Sequence, residues 1–112
     1  MIDSYSFGSY IIDGKEHKWD IKLINNKVFS WVGRNGHNIT INDIKDLVAE
    51  KPEMFIIGTG ASGLVNVSDE LKEFINGKGI KLIIEKTGAA CKEYNNALKN
   101  NKKVCAIMHG TC

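Results

Sequence analysis

The sequence predicts an α/β fold in which helices cover a central β-sheet. Two patterns indicate this class: β-rich runs separated by turn residues fill the first third of the chain, and helical periods alternate with short apolar runs after residue 40. The length of 112 residues, with 43% hydrophobic and 25% charged residues, is typical of a globular protein with one core. Neither a repeat nor a long linker divides the chain, so one domain over residues 1–112 is expected.

The first third is predicted to form a three-stranded meander packed on the same core. Strands are expected over residues 5–12, 17–24 and 27–32. Asp13-Gly14 and Asn25-Asn26 separate them, and these residue types tolerate the positive φ that tight hairpin turns require.

Three helices and three buried strands are predicted to alternate in the rest of the chain. The first helix is expected behind an Asn42 cap and ends at Pro52, the second is capped by Ser68, and the third runs from about Ala89 to Asn100. The strands are expected over residues 54–57, 80–84 and 104–108.

Charge and hydropathy disfavour two classes of function. The net charge of +2 comes from 15 basic and 13 acidic residues without a basic stripe, which argues against nucleic-acid binding. No apolar run reaches the roughly 18 residues of a membrane helix, and residues 1–5 lack the features of a signal peptide, so we expect a cytoplasmic protein without membrane contact. The three cysteines are expected to be free thiols because their number is odd.

A glycine motif follows the first buried strand. Gly58, Gly60 and Gly63 spell G-x-G-x-x-G, and Glu85 follows 22 residues after Gly63, as in a dinucleotide-binding fingerprint. NAD binding is disfavoured because the motif does not lead directly into a helix, whose first credible cap is Ser68. The glycines are interpreted as a strand exit that needs positive φ or close packing, with an anion-binding nest of backbone amides as the alternative.

Two groups of polar residues are candidate sites. Cys105, His109 and Cys112 have a C-x3-H-x2-C spacing that could bind a metal with a fourth ligand; alternatively Cys105 is a core residue, or Cys112 is a reactive thiol. Strand-end loops of an α/β sheet converge, so a ligand pocket is predicted from residues in three of these loops. Its members are Arg34, His37, Gly58, Thr59, Gly60 and Thr87, although a structural salt bridge for Arg34 is the simpler interpretation.

Nearly the whole chain resembles the Mth-domain family, which includes the adipogenesis-associated Mth domain-containing protein and a mitochondrial respiratory complex I assembly factor. The resemblance is carried by Tyr5-Ser6-Phe7-Gly8, Ile12-Asp13-Gly14, Asp20, Trp31, Arg34, Gly36-His37, Lys51-Pro52, Ile56-Ile57-Gly58-Thr59-Gly60, Gly79-Ile80, Thr87, Tyr94-Asn95 and His109-Gly110-Thr111-Cys112. It implies three layers, a mixed central sheet whose last strand is antiparallel to its neighbours, and an added β-layer from the amino-terminal hairpins. It implies no catalytic residues or cofactor and explains the glycine loop without a nucleotide.

These observations predict a non-catalytic module that binds a protein partner or a small anion, as a monomer or weak homodimer. The alternative is an enzyme that uses His109 or His37 as a proton carrier, with Cys112 as nucleophile or Arg34 as anion contact.

Overall fold

The computed structural model describes residues 1–32 and 37–112, which form two β-sheets and three helices. The strands and helices, in chain order, are β1 (Ile2–Ser6), β2 (Ser9–Ile12), β3 (Lys15–Lys18), β4 (Ile21–Ile24), β5 (Lys27–Ser30), α1 (Ile41–Ala49), β6 (Met54–Gly58), α2 (Asp69–Asn76), β7 (Lys81–Glu85), α3 (Thr87–Lys99) and β8 (Val104–Met108). The predicted alternation of helices and strands after residue 40 is therefore confirmed.

The central sheet is mixed, with strand order β5-β4-β8-β6-β7. β6, β7 and β8 are mutually parallel because helices return the chain to the same edge between them, whereas β4 runs antiparallel to β8 and to β5. The expectation that the last strand is antiparallel to its neighbours is right for β4 and wrong for β6.

The predicted three-stranded meander is wrong in its extent. The chain turns at Phe7-Gly8 and again at Trp19-Asp20, so the region contains five short strands. β1, β2 and β3 form a separate antiparallel sheet, while β4 and β5 join the central sheet. Asp13-Gly14 makes a hairpin turn with positive φ at both residues, 51° and 80°, as predicted.

Side-chain capping contacts mark the starts of α1 and α2. α1 begins at Ile41 behind Thr40, and the Asp43 carboxylate accepts hydrogen bonds from the Thr40 amide (2.8 Å) and hydroxyl (3.0 Å), so the predicted Asn42 cap is wrong. Ser68 caps α2 as predicted, accepting from the Leu71 amide at 3.2 Å. α3 begins at Thr87, two residues before the expected Ala89.

Two buried clusters lie on opposite faces of the central sheet and confirm the three-layer α/β class. On one face, α3 and the small sheet cover a cluster that includes Tyr10, Ile56 and Tyr94. On the other, α1 and α2 cover a cluster that includes Phe55 and Ile107. Successive residues of β6 and β8 alternate between the clusters, as the period of a strand requires.

Candidate functional site

The loops that carry the candidate residues lie together at one edge of the central sheet, the edge formed by the ends of its strands. Ser30, Ile21, Met108, Gly58 and Glu85 form a row of paired residues across the sheet, so the ends of β5, β6, β7 and β8 and the start of β4 share this edge. The Gly8 amide donates to the Gly110 carbonyl at 2.7 Å and brings the β1–β2 turn to the same place. We call this the loop edge; it comprises residues 7–8, 19–20, 31–32, 37, 59–64, 86–87 and 109–112.

Thr87 connects the loop after β6 to the segment after β8. Its hydroxyl donates to the His109 carbonyl at 2.6 Å and accepts from the Gly60 amide at 2.9 Å. Thr87 is fully buried, and the Thr59 amide donates to the Glu85 carbonyl at 2.9 Å. The predicted residues Gly58, Thr59, Gly60 and Thr87 thus meet, but the amides of Thr59 and Gly60 donate to protein oxygens rather than facing a ligand.

Two glycines of the G-x-G-x-x-G motif are required by close packing. A Cβ at Gly58 would lie 2.6 Å from the Met108 Sδ, and a Cβ at Gly60, whose φ is 105°, would lie 2.6 Å from the Thr111 carbonyl oxygen. α2 begins only at Asp69, so the motif does not lead into a helix amino terminus. The geometry favours the packing interpretation over an anion-binding nest.

His109 is fully buried and held by Asp20. Its Nδ1 lies 2.6 Å from the Asp20 Oδ1, which also accepts from the Gly110 amide at 3.1 Å. The Thr111 hydroxyl lies 3.5 Å from the other ring nitrogen, Nε2. A carboxylate at Nδ1 favours the tautomer that carries its proton there, which directs Nε2 to act as acceptor or ligand.

His37, His109 and Cys112 form a cluster of potential metal ligands at the loop edge. One ligand atom from each lies within 4.8 Å of the others. The two imidazole rings meet edge to face, with centroids 5.8 Å apart. His37 reaches this edge because Asn38 bridges Asn66 and the Asn66 amide donates to the His37 carbonyl at 2.8 Å.

Cys105 does not join the predicted Cys105, His109 and Cys112 group. Cys105 lies on β8 and His109 directly follows that strand, and four residues along an extended chain span about 13 Å, so the two side chains do not share a site. Cys105 is buried in the core beneath α1 and α2, and this burial raises the pKa of its thiol to about 11. Cys105 is therefore a core residue, which is one of the alternatives that the sequence predicts.

The structure describes five of the six residues of the predicted ligand pocket. Arg34 lies outside the described residues, His37 is exposed beside His109, and Thr87 is buried. A cavity of about 630 Å³ lies at the opposite edge of the sheet, where α1 and α2 approach the starts of β6 and β7. Ligand binding by the six predicted residues stays a prediction.

Several large apolar side chains of the loop edge are exposed to solvent. Phe7, Trp19, Val32 and Leu64 are 67%, 61%, 82% and 59% exposed. Trp19 also has a φ of 69°, a left-handed conformation that is uncommon for a bulky residue. Its amide donates to the Gly8 carbonyl at 2.9 Å and its carbonyl accepts from the Tyr10 hydroxyl at 3.2 Å.

Trp19 and Asp20 both fall inside the strand predicted over residues 17–24, so the sequence predicts no site role for either residue. The available signal was Asp20 itself, since Asp is depleted in strands and favours turns.

Comparisons with known proteins identify similar chains. A family model described as "Protein of unknown function (DUF498/DUF598)" matches residues 2–109. A conserved hypothetical protein from Pyrococcus horikoshii OT3 is 23% identical, with 100% of this chain and 99% of that chain covered and a TM-score of 0.88. The protein MT938 is 26% identical, with 100% and 98% covered and a TM-score of 0.84. A Mth938-like domain from Bordetella pertussis is 16% identical, with 97% and 84% covered and a TM-score of 0.71. These likenesses confirm the predicted resemblance and fold.

Within the described residues, no helix combines the length and hydropathy needed to cross a membrane. The cytoplasmic location expected from the sequence stays a prediction.

Proposed function

The chain belongs to the DUF498/DUF598 family of proteins of unknown function, and we propose that it is a non-catalytic module that binds an apolar segment of another protein at its loop edge. The observation that carries this proposal is Trp19, an exposed indole on a backbone held by hydrogen bonds from two sides. A cytoplasmic location is part of the same proposal.

The conformation of Trp19 supports a role beyond packing. A left-handed backbone at a residue other than glycine costs about 1–3 kcal/mol, and such residues concentrate at functional positions. The surrounding contacts maintain this conformation, while 61% of the residue stays in solvent. Tryptophan is also the residue type that most often dominates the energy of protein interfaces, because it buries a large rigid surface.

The rest of the loop edge supports an apolar protein segment as the occupant. Phe7, Val32 and Leu64 are exposed on neighbouring loops, and these protruding side chains suit a protein surface better than a small ligand. Lys18, next to Trp19, and Lys86, beside Gly63, are exposed cations. Carboxylates beside the apolar side chains of the partner would complement them.

The test compares Trp19→Ala with Phe29→Ala, a matched control because Phe29 is an aromatic residue 47% exposed on β5. Both variants and the wild type are used as bait, and each captured protein is then purified and titrated against all three by calorimetry. We expect one purified partner to bind wild type and Phe29→Ala and to lose at least tenfold in affinity for Trp19→Ala.

Equal binding of every purified partner to both variants would refute the proposal. A stable dimer in sedimentation experiments that Trp19→Ala dissociates would refute it differently, by assigning the surface to a second copy of the chain.

A second candidate function is supported by the arrangement of Asp20, His109 and Cys112. Asp20 holds Nδ1 of His109 at 2.6 Å, and a ligand atom of His109 lies within 4.8 Å of the Cys112 thiol. In this arrangement Asp20 would orient His109, His109 would act as the base and Cys112 as the nucleophile. The proton of the Cys112 thiol would pass to Nε2 of His109.

Under this second hypothesis, iodoacetamide at neutral pH modifies Cys112 at least tenfold faster in the wild type than in His109→Gln or Asp20→Asn. Circular dichroism first establishes that both variants fold. Equal rates in the three folded proteins would exclude an activated nucleophile.

A further inference from the structure

We propose that His37, His109 and Cys112 form a Zn²⁺ site at the loop edge. Each residue supplies one ligand atom, two imidazole nitrogens and one thiolate sulfur, and the three atoms lie within 4.8 Å of one another. The proposal goes beyond partner binding, since neither Trp19 nor the apolar side chains take part in it.

The geometry is close to that of a loaded site. With Zn–N bonds of about 2.0–2.1 Å and a Zn–S bond of about 2.3 Å, a tetrahedral ion holds its ligand atoms about 3.5 Å apart. The largest separation here exceeds that by little more than 1 Å. His37 is exposed and Cys112 is only partly buried, so rotation of these two side chains brings the ligands together around the fixed His109.

His109 has the carboxylate contact that zinc-binding histidines use. A metal-ligating histidine usually gives its other ring N–H to a carboxylate, which fixes the ring and makes the ligating nitrogen more basic. Asp20 supplies this carboxylate at Nδ1, and the Gly110 amide donates to the same oxygen of Asp20. Nε2 of His109 is therefore the nitrogen that binds the ion.

The donor set selects the class of metal. Imidazole and thiolate ligands suit Zn²⁺, whereas Mg²⁺ and Ca²⁺ prefer carboxylate, carbonyl and water oxygens. Three protein ligands leave a fourth position, which water would fill. We therefore expect stoichiometric Zn²⁺ binding and no competition by Mg²⁺.

The test uses reduced, chelator-treated protein and Co²⁺ as a spectroscopic substitute for Zn²⁺. One equivalent of Co²⁺ is expected to produce a thiolate-to-cobalt charge-transfer band together with visible bands of tetrahedral intensity, and Zn²⁺ is expected to displace it. His37→Gln and Cys112→Ser remove ligands that are not buried, so both variants should fold. Each is expected to abolish binding at Co²⁺ concentrations that saturate the wild type.

His17→Gln is the matched control, because His17 lies on β3 outside the cluster and its loss should leave the titration unchanged. Asp20→Asn tests the positioning role and is expected to weaken Zn²⁺ affinity by about 10–100-fold while the charge-transfer band persists. A wild-type titration without the band, or equal affinity in wild type and His37→Gln, would overturn the site. Neither result bears on the binding of a protein at Trp19.

Discussion

Replacing Thr87 by valine tests whether one buried hydroxyl holds the loop edge together. Valine keeps the shape of threonine but leaves the Gly60 amide without its acceptor and the His109 carbonyl without its donor. Each buried group left unsatisfied costs about 1–3 kcal/mol, so Thr87→Val is expected to lower the free energy of unfolding by about 2–6 kcal/mol. With a urea m-value of about 1.5 kcal/mol per molar, the urea midpoint of unfolding falls by about 1.3–4 M.

The matched variant Thr87→Ser keeps the hydroxyl and removes only the buried methyl group. It should cost about 1 kcal/mol, the transfer free energy of that group. Urea unfolding followed by circular dichroism compares both variants with wild type. A Thr87→Val cost below about 0.5 kcal/mol, or equal costs for the two variants, would refute the role given to the hydroxyl.

Three further predictions concern stability and share the urea assay. Gly79→Ala should lower the free energy of unfolding by about 1–2 kcal/mol, because the φ of Gly79 is 74° although no atom lies near its new Cβ. Gly60→Ala should lower it by about 2 kcal/mol more, because its new Cβ would also clash with backbone atoms; equal losses would contradict this. Tyr94→Phe should leave stability unchanged or higher, since the Tyr94 hydroxyl is buried without a hydrogen-bond partner among the described residues, whereas Tyr10→Phe should cost about 1 kcal/mol; the reverse order would contradict this. Burial raises the pKa of the Cys91 thiol to about 12, so the native state keeps its proton at a pH where the unfolded chain loses it. Stability should therefore fall as pH rises from about 9 to about 12, by up to about 1.4 kcal/mol per pH unit, and Cys91→Ala should reduce this slope. An unchanged slope would contradict the prediction.

Local signals predicted most elements of the central sheet and its helices. The period of Leu71 and Ile75 and the Ser68 cap identified α2, and short apolar runs identified β6, β7 and β8. The predicted Asn42 cap is the exception, because Thr40 and Asp43 have the spacing of a capping box and form the cap in the structure.

The breaks in the amino-terminal strands depend on distant residues and could not be predicted from local pattern. Gly8 pairs with the carbonyl of Gly110, about a hundred positions along the chain, and Trp19 then pairs with Gly8. The alternation of polar and apolar residues on either side of Gly8 and Trp19 favours longer strands, because such a local pattern carries no information about these distant contacts.

The composition of the candidate site was predictable only in part. His109 and Cys112 were identified by type and spacing. The third member of the cluster is His37 and not the predicted Cys105, because the β-bridge between Asn38 and Asn66 brings the loop of His37 to the end of β8. Asp20 reaches His109 across 89 positions, a contact that the sequence spacing does not reveal.

The central place of β8 determines the order in which the sheet can be completed. β4 pairs with β5 and β6 pairs with β7, but these two halves meet only through β8, which follows the other named strands in the chain. Until β8 is inserted, each half presents an unpaired strand edge, and closing the sheet requires contacts of long sequence separation. We therefore expect slow, cooperative folding whose late step is strand insertion, and a period beforehand in which a strand from another molecule could enter the same gap.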